Sequence, residues 1–184
     1  MIKITTEMIE RAKLETKKRN PDIKHHFEVS HFTSQERDII GFIGEFAACE
    51  LLNINWEKNI RTNYKTIDTQ DIIYLDKKID VKTETLPTDI LLKIINHTIT
   101  DNELYGRRLI NQGQINLLKK YDIVIFGGID RDKKDYWYPI GWITTKEILE
   151  GYTPTKIRPD GGEYPFPGLP IKTSSLRNID ELKI

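Results

Sequence analysis

The segment that most limits what this chain can become is IIGFIGEFAACELL, residues 39–52. Thr33 and Glu36 ahead of it make a capping-box pattern, so one helix is expected to run to about Leu52. At about 100° per residue, Ile39, Ile40, Ile43, Phe46 and Ala47 share a broad apolar face. Gly41, Gly44 and Ala48 line an adjacent stripe of small residues. Two glycines inside a helix cost about 1 kcal/mol each relative to alanine, so another element is expected to approach the backbone closely there. A helix apolar on most of its circumference must be covered on most of it. The 184 residues of the chain suit a single domain and suffice for such a core.

The cover is legible as alternating strands and helices. DIIYL (71–75) and KIDVKTE (78–84) read as a β-hairpin turning at Asp76-Lys77. DIVIFGGI (122–129) and YWYPIGWIT (136–144) read as further strands on either side of the polar turn DRDKKD. Thr5 or Thr6 caps a first helix with Glu7 and Glu10 early and Lys17, Lys18 and Arg19 late, stopping at Asn20-Pro21. Its stripe of Ile4, Met8 and Ala12 is thin, which predicts a surface helix. A short strand is expected over 57–63, a helix in QGQINLLKK (112–120) and a short helix from Thr144 to Glu150. The rest of 88–120 is ambiguous, because DILLKIINHTIT mixes helical spacing with β-branched residues. The expected fold is α/β, a central mixed β-sheet flanked by helices. An N-terminal helix and loop (1–33) precede the core (34–150), and a Pro/Gly-rich C-terminal arm (151–184) follows it, in which Tyr164, Phe166 and Leu169 must find somewhere to pack.

Charge removes several classes. The 28 basic side chains balance 28 acidic ones, which excludes a strongly basic nucleic-acid coat and leaves local patches. No apolar run approaches the roughly 20 residues of a membrane span. MIKITTEMIERAK lacks the basic-then-apolar pattern of a secretory leader, so the chain reads as cytosolic with no membrane partner. A single cysteine, Cys49, leaves no internal disulfide and no multi-cysteine zinc site. Lying in an apolar helical run, it reads as a small core residue. His25, His26 and His31 match no zinc spacing with it.

The chemistry concentrates in the hairpin. Side chains alternate along a strand, so Asp80, Lys82 and Glu84 point one way and Ile79, Val81 and Thr83 the other. With a two-residue turn at Asp76-Lys77, Leu75 faces Lys78, Ile73 faces Asp80 and Asp71 faces Lys82. Opposed residues share a face, with Cβ atoms roughly 4.5–5.5 Å apart. Asp71, Asp80 and Lys82 therefore converge on one side, which a packed core would rarely tolerate. A divalent cation compensates: Mg2+ takes a few carboxylate oxygens plus water and phosphate. It can then polarise a phosphodiester and acidify its bound water. A neighbouring lysine orients that water, and the cation and burial are expected to lower its pKa.

An acid, a hairpin ending Asp80-Val81-Lys82 and an upstream Gly44-Glu45 helix resemble the PD-(D/E)XK nuclease superfamily, the restriction-endonuclease-like fold. The resemblance spans about residues 36–84, with DIVIFGGI fitting the next core strand more loosely and GWITTKEI resembling an extension in some phage- and restriction-associated members. It implies a Mg2+-dependent DNA endonuclease of restriction or phage type, with Mn2+ as a substitute. Asp71, Asp80 and the Val81 carbonyl would hold the metal. Lys82 would position the attacking water, and Glu45 would shape the outer shell or a second metal site. The chain departs from the pattern in having Gln70, not proline, before Asp71. Asp68 is a rival first acid, Glu84 a second metal contact and Glu50 a rival to Glu45 if the helix is rotated. The alternative function is a nucleic-acid-binding or accessory protein that keeps the fold without catalysis. A homodimer would suit double-strand cutting.

Binding residues are less sharply marked. Arg107 and Arg108 are candidates for phosphate contacts, with Gln112 and Gln114 beside them by position alone. The basic residues of the first segment (Arg11, Lys13, Lys17, Lys18, Arg19, Lys24) read as a solvated face. Of Tyr136, Trp137, Tyr138 and Trp142, alternation assigns half to the core and leaves the others free to stack on bases. Gly127-Gly128 follows a strand but carries no phosphate-loop pattern.

Overall fold

A computed structural model describes residues 1–19, 33–61, 64 and 71–182. The stop at Asn20-Pro21, the three loop histidines, Lys24 and Asp68 lie outside the described residues. The elements are β1 (Ile2–Lys3), α1 (Thr6–Lys18), α2 (Ser34–Leu51), β2 (Ile72–Tyr74), β3 (Lys77–Leu86), α3 (Thr88–Ile95), β4 (Arg107–Asn111), α4 (Ile115–Leu118), β5 (Ile123–Asp130), β6 (Tyr136–Thr144), α5 (Thr145–Gly151), β7 (Thr155–Ile157) and β8 (Glu163–Lys172). Five strands form a mixed sheet in the order β1-β6-β5-β3-β2, and three form a second sheet, β4-β8-β7. β3 and β5 run parallel, while the other pairs in the larger sheet are antiparallel. The chain is mixed α/β with a central mixed sheet flanked by helices, as its sequence predicts.

α2 forms for the reason its sequence gives. The Thr33 side chain accepts from the Glu36 N–H at 3.2 Å, and the Glu36 carboxylate accepts from the Thr33 N–H at 2.8 Å. Its buried residues include Phe42, Ile43, Phe46, Ala47 and Ala48, and with α1 it covers one face of the sheet. The two mid-helix glycines differ. A Cβ on Gly44 would lie 1.8 Å from Thr83 Oγ1, so β3 occupies that space, whereas nothing stands within 4 Å of a Cβ on Gly41. α1 starts at the Thr5 cap, and its stripe buries Met8 and Ala12 completely. Glu15, also fully buried, is held by Arg11, Lys18 and the Tyr64 hydroxyl.

The opposite face carries a second core, in which Val124, Phe126 and Ile143 of the sheet meet Ile110, Leu118, Ile148, Leu169 and Ile171. The C-terminal segment is thus more than an extended arm: β8 pairs with β4 and walls this core, burying Tyr164 and Leu169 and half-burying Phe166. Where a strand is expected at 57–63, Trp56–Asn59 form a single 3-10 turn instead, because the Asn55 side chain caps it by accepting from the Glu57 and Lys58 N–H groups, and residues 62 and 63 lie outside the described residues. The expected helix at 112–120 is cut to a 3-10 turn, Gln112–Gln114, and α4.

The hairpin turns one residue earlier than expected. Tyr74 pairs with Lys77 and Ile72 with Ile79, so Leu75 and Asp76 form the loop, at φ of 47° and 61°. Two left-handed residues in a two-residue loop match the right-handed twist of the strands, but leucine is strained there. Leu75→Asn is expected to stabilise the fold by about 0.5–1 kcal/mol in urea denaturation. Gly44→Ala should cost about 2 kcal/mol or more through its clash with Thr83. Gly41→Ala should gain about 0.5–1 kcal/mol, and equal effects at the two glycines would contradict the packing described.

Candidate active site

The one-residue change in the turn moves the pairing of β2 by two positions, and two is the strand period. Faces are therefore kept although partners change. Ile72 and Ile79 are fully buried in the first core, whereas Ile73 and Lys78 lie on the other face. Asp71 lies just before β2, its N–H donating to the Ile79 carbonyl at 3.0 Å, which sets it beside Ile79 rather than opposite Lys82. Asp80 and Lys82 register with Val124 and Phe126 of β5, which places them on the face of the second core.

Asp71 is fixed from several sides. Its Oδ2 accepts from the Val81 N–H at 2.7 Å, and its own carbonyl accepts from the Asn59 amide at 2.7 Å. The Arg61 guanidinium stands 3.8 Å from Oδ1. Since the N–H and C=O of one strand residue project to the same side, the Val81 carbonyl faces the edge of β3 where Asp71 sits. Asp80 is only 3% exposed. Its Oδ1 accepts from Lys82 Nζ at 2.8 Å, while its Oδ2 is buried with no hydrogen-bond partner. Such an orphaned carboxylate oxygen is costly in a folded protein.

Glu45 arrives from α2, which packs on the opposite face of β3 through Gly44 and Thr83. Burial pushes its carboxyl pKa up to about 7, with Asp80 adding to the rise and Arg61, Arg19 and Lys82 opposing it. Asp71 is raised as well, by burial first and then by Glu45 and Asp80. For Lys82, burial works downward, but Asp80 and Asp71 outweigh it and the net shift is upward. The lowering that burial alone would give Lys82 is outweighed by these two anions. Tyr121, buried beside the cluster, is raised by burial and then by Asp80 and Asp71. Glu50 is exposed on α2.

The candidate binding residues separate. Arg108 is 1% exposed, with its guanidinium donating to the Glu84 carboxylate and the Tyr105 carbonyl. It braces Glu84 from inside and does not face solvent. Arg107 is half-buried with Nε on the Asp101 carbonyl at 3.0 Å, Gln112 is exposed and Gln114 half-buried. Trp137 is fully buried, and Trp142 carries Arg177 over its ring at 4.7 Å. Tyr136 and Tyr138 remain partly open beside α3. Cys49 is fully buried, and its thiol is pushed up to about 12 by burial and then by Glu45, in keeping with a core residue.

Arg61, Asn59 and Tyr121 are the residues that sequence reasoning missed here. Arg61 and Asn59 lie in a polar stretch with no periodicity, and nothing in the sequence separates Arg61 from neighbouring cations. Among the described residues, no three His, Cys, Asp or Glu side chains form a metal cage, and no helix is long and apolar enough to cross a membrane. No family model, curated protein or solved structure matches the chain.

An acid whose folded pKa lies above its unfolded value holds a proton preferentially in the folded state. Stability then falls as pH rises, here between about 4.5 and about 7. Glu45→Gln should therefore be the more stable protein at pH 8 in EDTA, by about 1 kcal/mol or roughly 2–4 °C in Tm. The gap should close toward pH 4.5, and a gap that did not depend on pH would mean Glu45 is already ionised at low pH.

Proposed function

We propose that the chain is a divalent-metal-dependent nuclease with a site of PD-(D/E)XK type, acting on DNA as an endonuclease. One observation carries the proposal: the buried, unpartnered Oδ2 of Asp80 beside a lysine bound to its other oxygen. A site completed by a cation explains an oxygen that the folded chain leaves unsatisfied. Asp71, Asp80 and the Val81 carbonyl would hold Mg2+ or Mn2+. So few protein ligands suit Mg2+, which keeps several waters and shares its shell with substrate phosphate. No three-carboxylate cage forms among the described residues, which is compatible with that chemistry. When bound, the cation polarises the scissile phosphate and lowers the pKa of bound water.

The side chains divide the remaining work. Asp80 aims the Lys82 ammonium, which orients the attacking water and stabilises charge building on the phosphate. Val81 N–H holds the Asp71 carboxyl and the Asn59 amide holds the Asp71 main-chain carbonyl, so little reorganisation is needed when substrate arrives. Glu45 accepts hydrogen bonds from waters of the outer shell. Arg107, Gln112 and Gln114 contact substrate backbone at the rim.

Purified protein incubated with plasmid, single-stranded DNA and RNA in Mg2+, Mn2+ or EDTA tests this. Cleavage of DNA is expected with either metal and none in EDTA. Asp80→Asn and Lys82→Ala should each reduce it by about a hundredfold or more, with far-UV circular dichroism unchanged. Cutting that survived both substitutions would reject the site, and binding without cleavage under every metal would favour the accessory protein.

A further inference from the structure

We propose that the tip of the β2–β3 hairpin is a DNA-binding wedge: Leu75 and Ile73 enter the minor groove of a duplex and separate a base step, while Lys77, Lys78, Lys119 and Lys120 hold the flanking phosphates. This rests on the nuclease function above for its partner and adds to it a point of contact outside the metal site. Leu75 is anomalous twice over. It adopts φ of 47° and is 63% exposed, so it is strained without burying apolar surface in return. A turn shaped for stability alone would carry Asn-Gly or Asp-Gly, and strain of this kind persists at sites of function. Ile73 is 55% exposed and pairs with Lys78, so those two share one face of the hairpin.

The charges around the tip suit a phosphate partner. Lys77 and Lys78 are exposed where β3 begins. The Lys78 N–H donates to the Asp122 carboxylate at 2.8 Å, and the Asp122 N–H donates to the Lys78 carbonyl at 2.8 Å. That exchange draws the segment after α4 alongside the hairpin, and with it the exposed Lys119 and Lys120. Residues 75–78 and 119–122 thus carry four lysines against two acids, Asp76 and Asp122, and the Asp122 carboxylate already receives the Lys78 amide. This is a local basic end on a chain that is neutral overall. Leu and Ile rimmed by cations are the side chains with which proteins unstack a step and kink DNA from the minor groove. Along the hairpin the tip stands about 16 Å from Asp80, close to half a helical turn of B-DNA. Lys78, Asp80 and Lys82 project from one face of β3, so a duplex held at the tip extends toward the metal site.

The test compares wild type, Leu75→Asn, Leu75→Met and the double variant Lys77→Gln/Lys78→Gln, each first checked by thermal melt. Binding is read from the anisotropy of a short labelled duplex in Ca2+ over a range of salt, and bending from energy transfer between dyes on its two ends. Wild type should bend the duplex. Leu75→Asn, which keeps the turn, should bind about fivefold more weakly, lose the bending and keep the salt dependence. Leu75→Met, still an apolar wedge, should retain affinity and bending. The lysine variant should lower the slope of log affinity against log salt by about 2. A duplex that wild type leaves straight, a Leu75→Asn protein that binds and bends as wild type does, or an unchanged slope in the lysine variant overturns the wedge while leaving the nuclease site standing. Wild type that binds vesicles of anionic lipid and not the duplex overturns it in favour of a membrane surface. Bending that depends on Leu75 with no cleavage under any metal rejects the nuclease and leaves the wedge in place.

Discussion

The contact between Gly44 and Thr83 sets the distance between helix and sheet, and much of the structure depends on that distance. With no side chain on Gly44, α2 settles onto β3 until the Thr83 hydroxyl fills the space a Cβ would take. The same hydroxyl accepts from the Trp137 indole N–H at 3.1 Å, tying β6 to β3 across β5. Trp137 in turn lies where a Cβ on Gly127 would stand, 2.1 Å from its ring. Gly127 registers with Thr83 in the parallel pair β3–β5. Two absent side chains and one hydroxyl therefore lock α2, β3 and β6 together. Gly127 lies inside β5, and its missing side chain has a packing reason.

That lock fixes where the chemistry falls. Glu45 follows Gly44 directly, so the approach that seats Gly44 on β3 also carries Glu45 to the strand bearing Asp80 and Lys82. β3 has a different neighbour on each face. Ile79 and Val81 enter the first core, while Asp80 and Lys82 share the second-core face with Val124 and Phe126. Among the described residues β2 is three residues long, and beyond Ile79 the Asp71 carboxyl takes the Val81 N–H on the edge of β3. A longer β2 would satisfy the Val81 amide with a backbone carbonyl and leave Asp71 no reason to turn inward.

Legibility in the sequence followed the range of the forces involved. The Thr33–Glu36 box and the strands at 123–130 and 136–144 rest on local chemistry and period, and both were readable. The face shared by Asp80 and Lys82 was readable because the strand period alone decides it, whereas Asp71 lies just before β2 and reaches the edge of β3 through the Val81 N–H. The turn itself was not, since nothing about leucine predicts φ above zero at Leu75; strand twist imposes it. β4 escaped notice because RRLIN finds its partners in Leu169 and Ile171, some 60 residues away. Arg108 looked like a surface cation. Its burial follows from Glu84 and the Tyr105 carbonyl, which only the tertiary fold brings to it.

Charge then dictates an order of events for the proposed function. The chain is neutral overall, with 28 charges of each sign, so no diffuse basic field draws in a polyanion. Without metal the site brings the carboxyls of Glu45, Asp71 and Asp80 together with the cations Lys82 and Arg61. Lys82 is committed to Asp80 and Arg61 leans on Asp71. Burial raises the pKa of Glu45 and Asp71, which moderates the repulsion by keeping protons on the cluster. A phosphate entering that site meets acids and spoken-for cations. A divalent ion would meet an unsatisfied Asp80 oxygen, and its charge would displace protons from the raised carboxyls. Metal first and nucleic acid second is thus the electrostatically favoured sequence, and it would confine hydrolysis to chains already loaded with the ion.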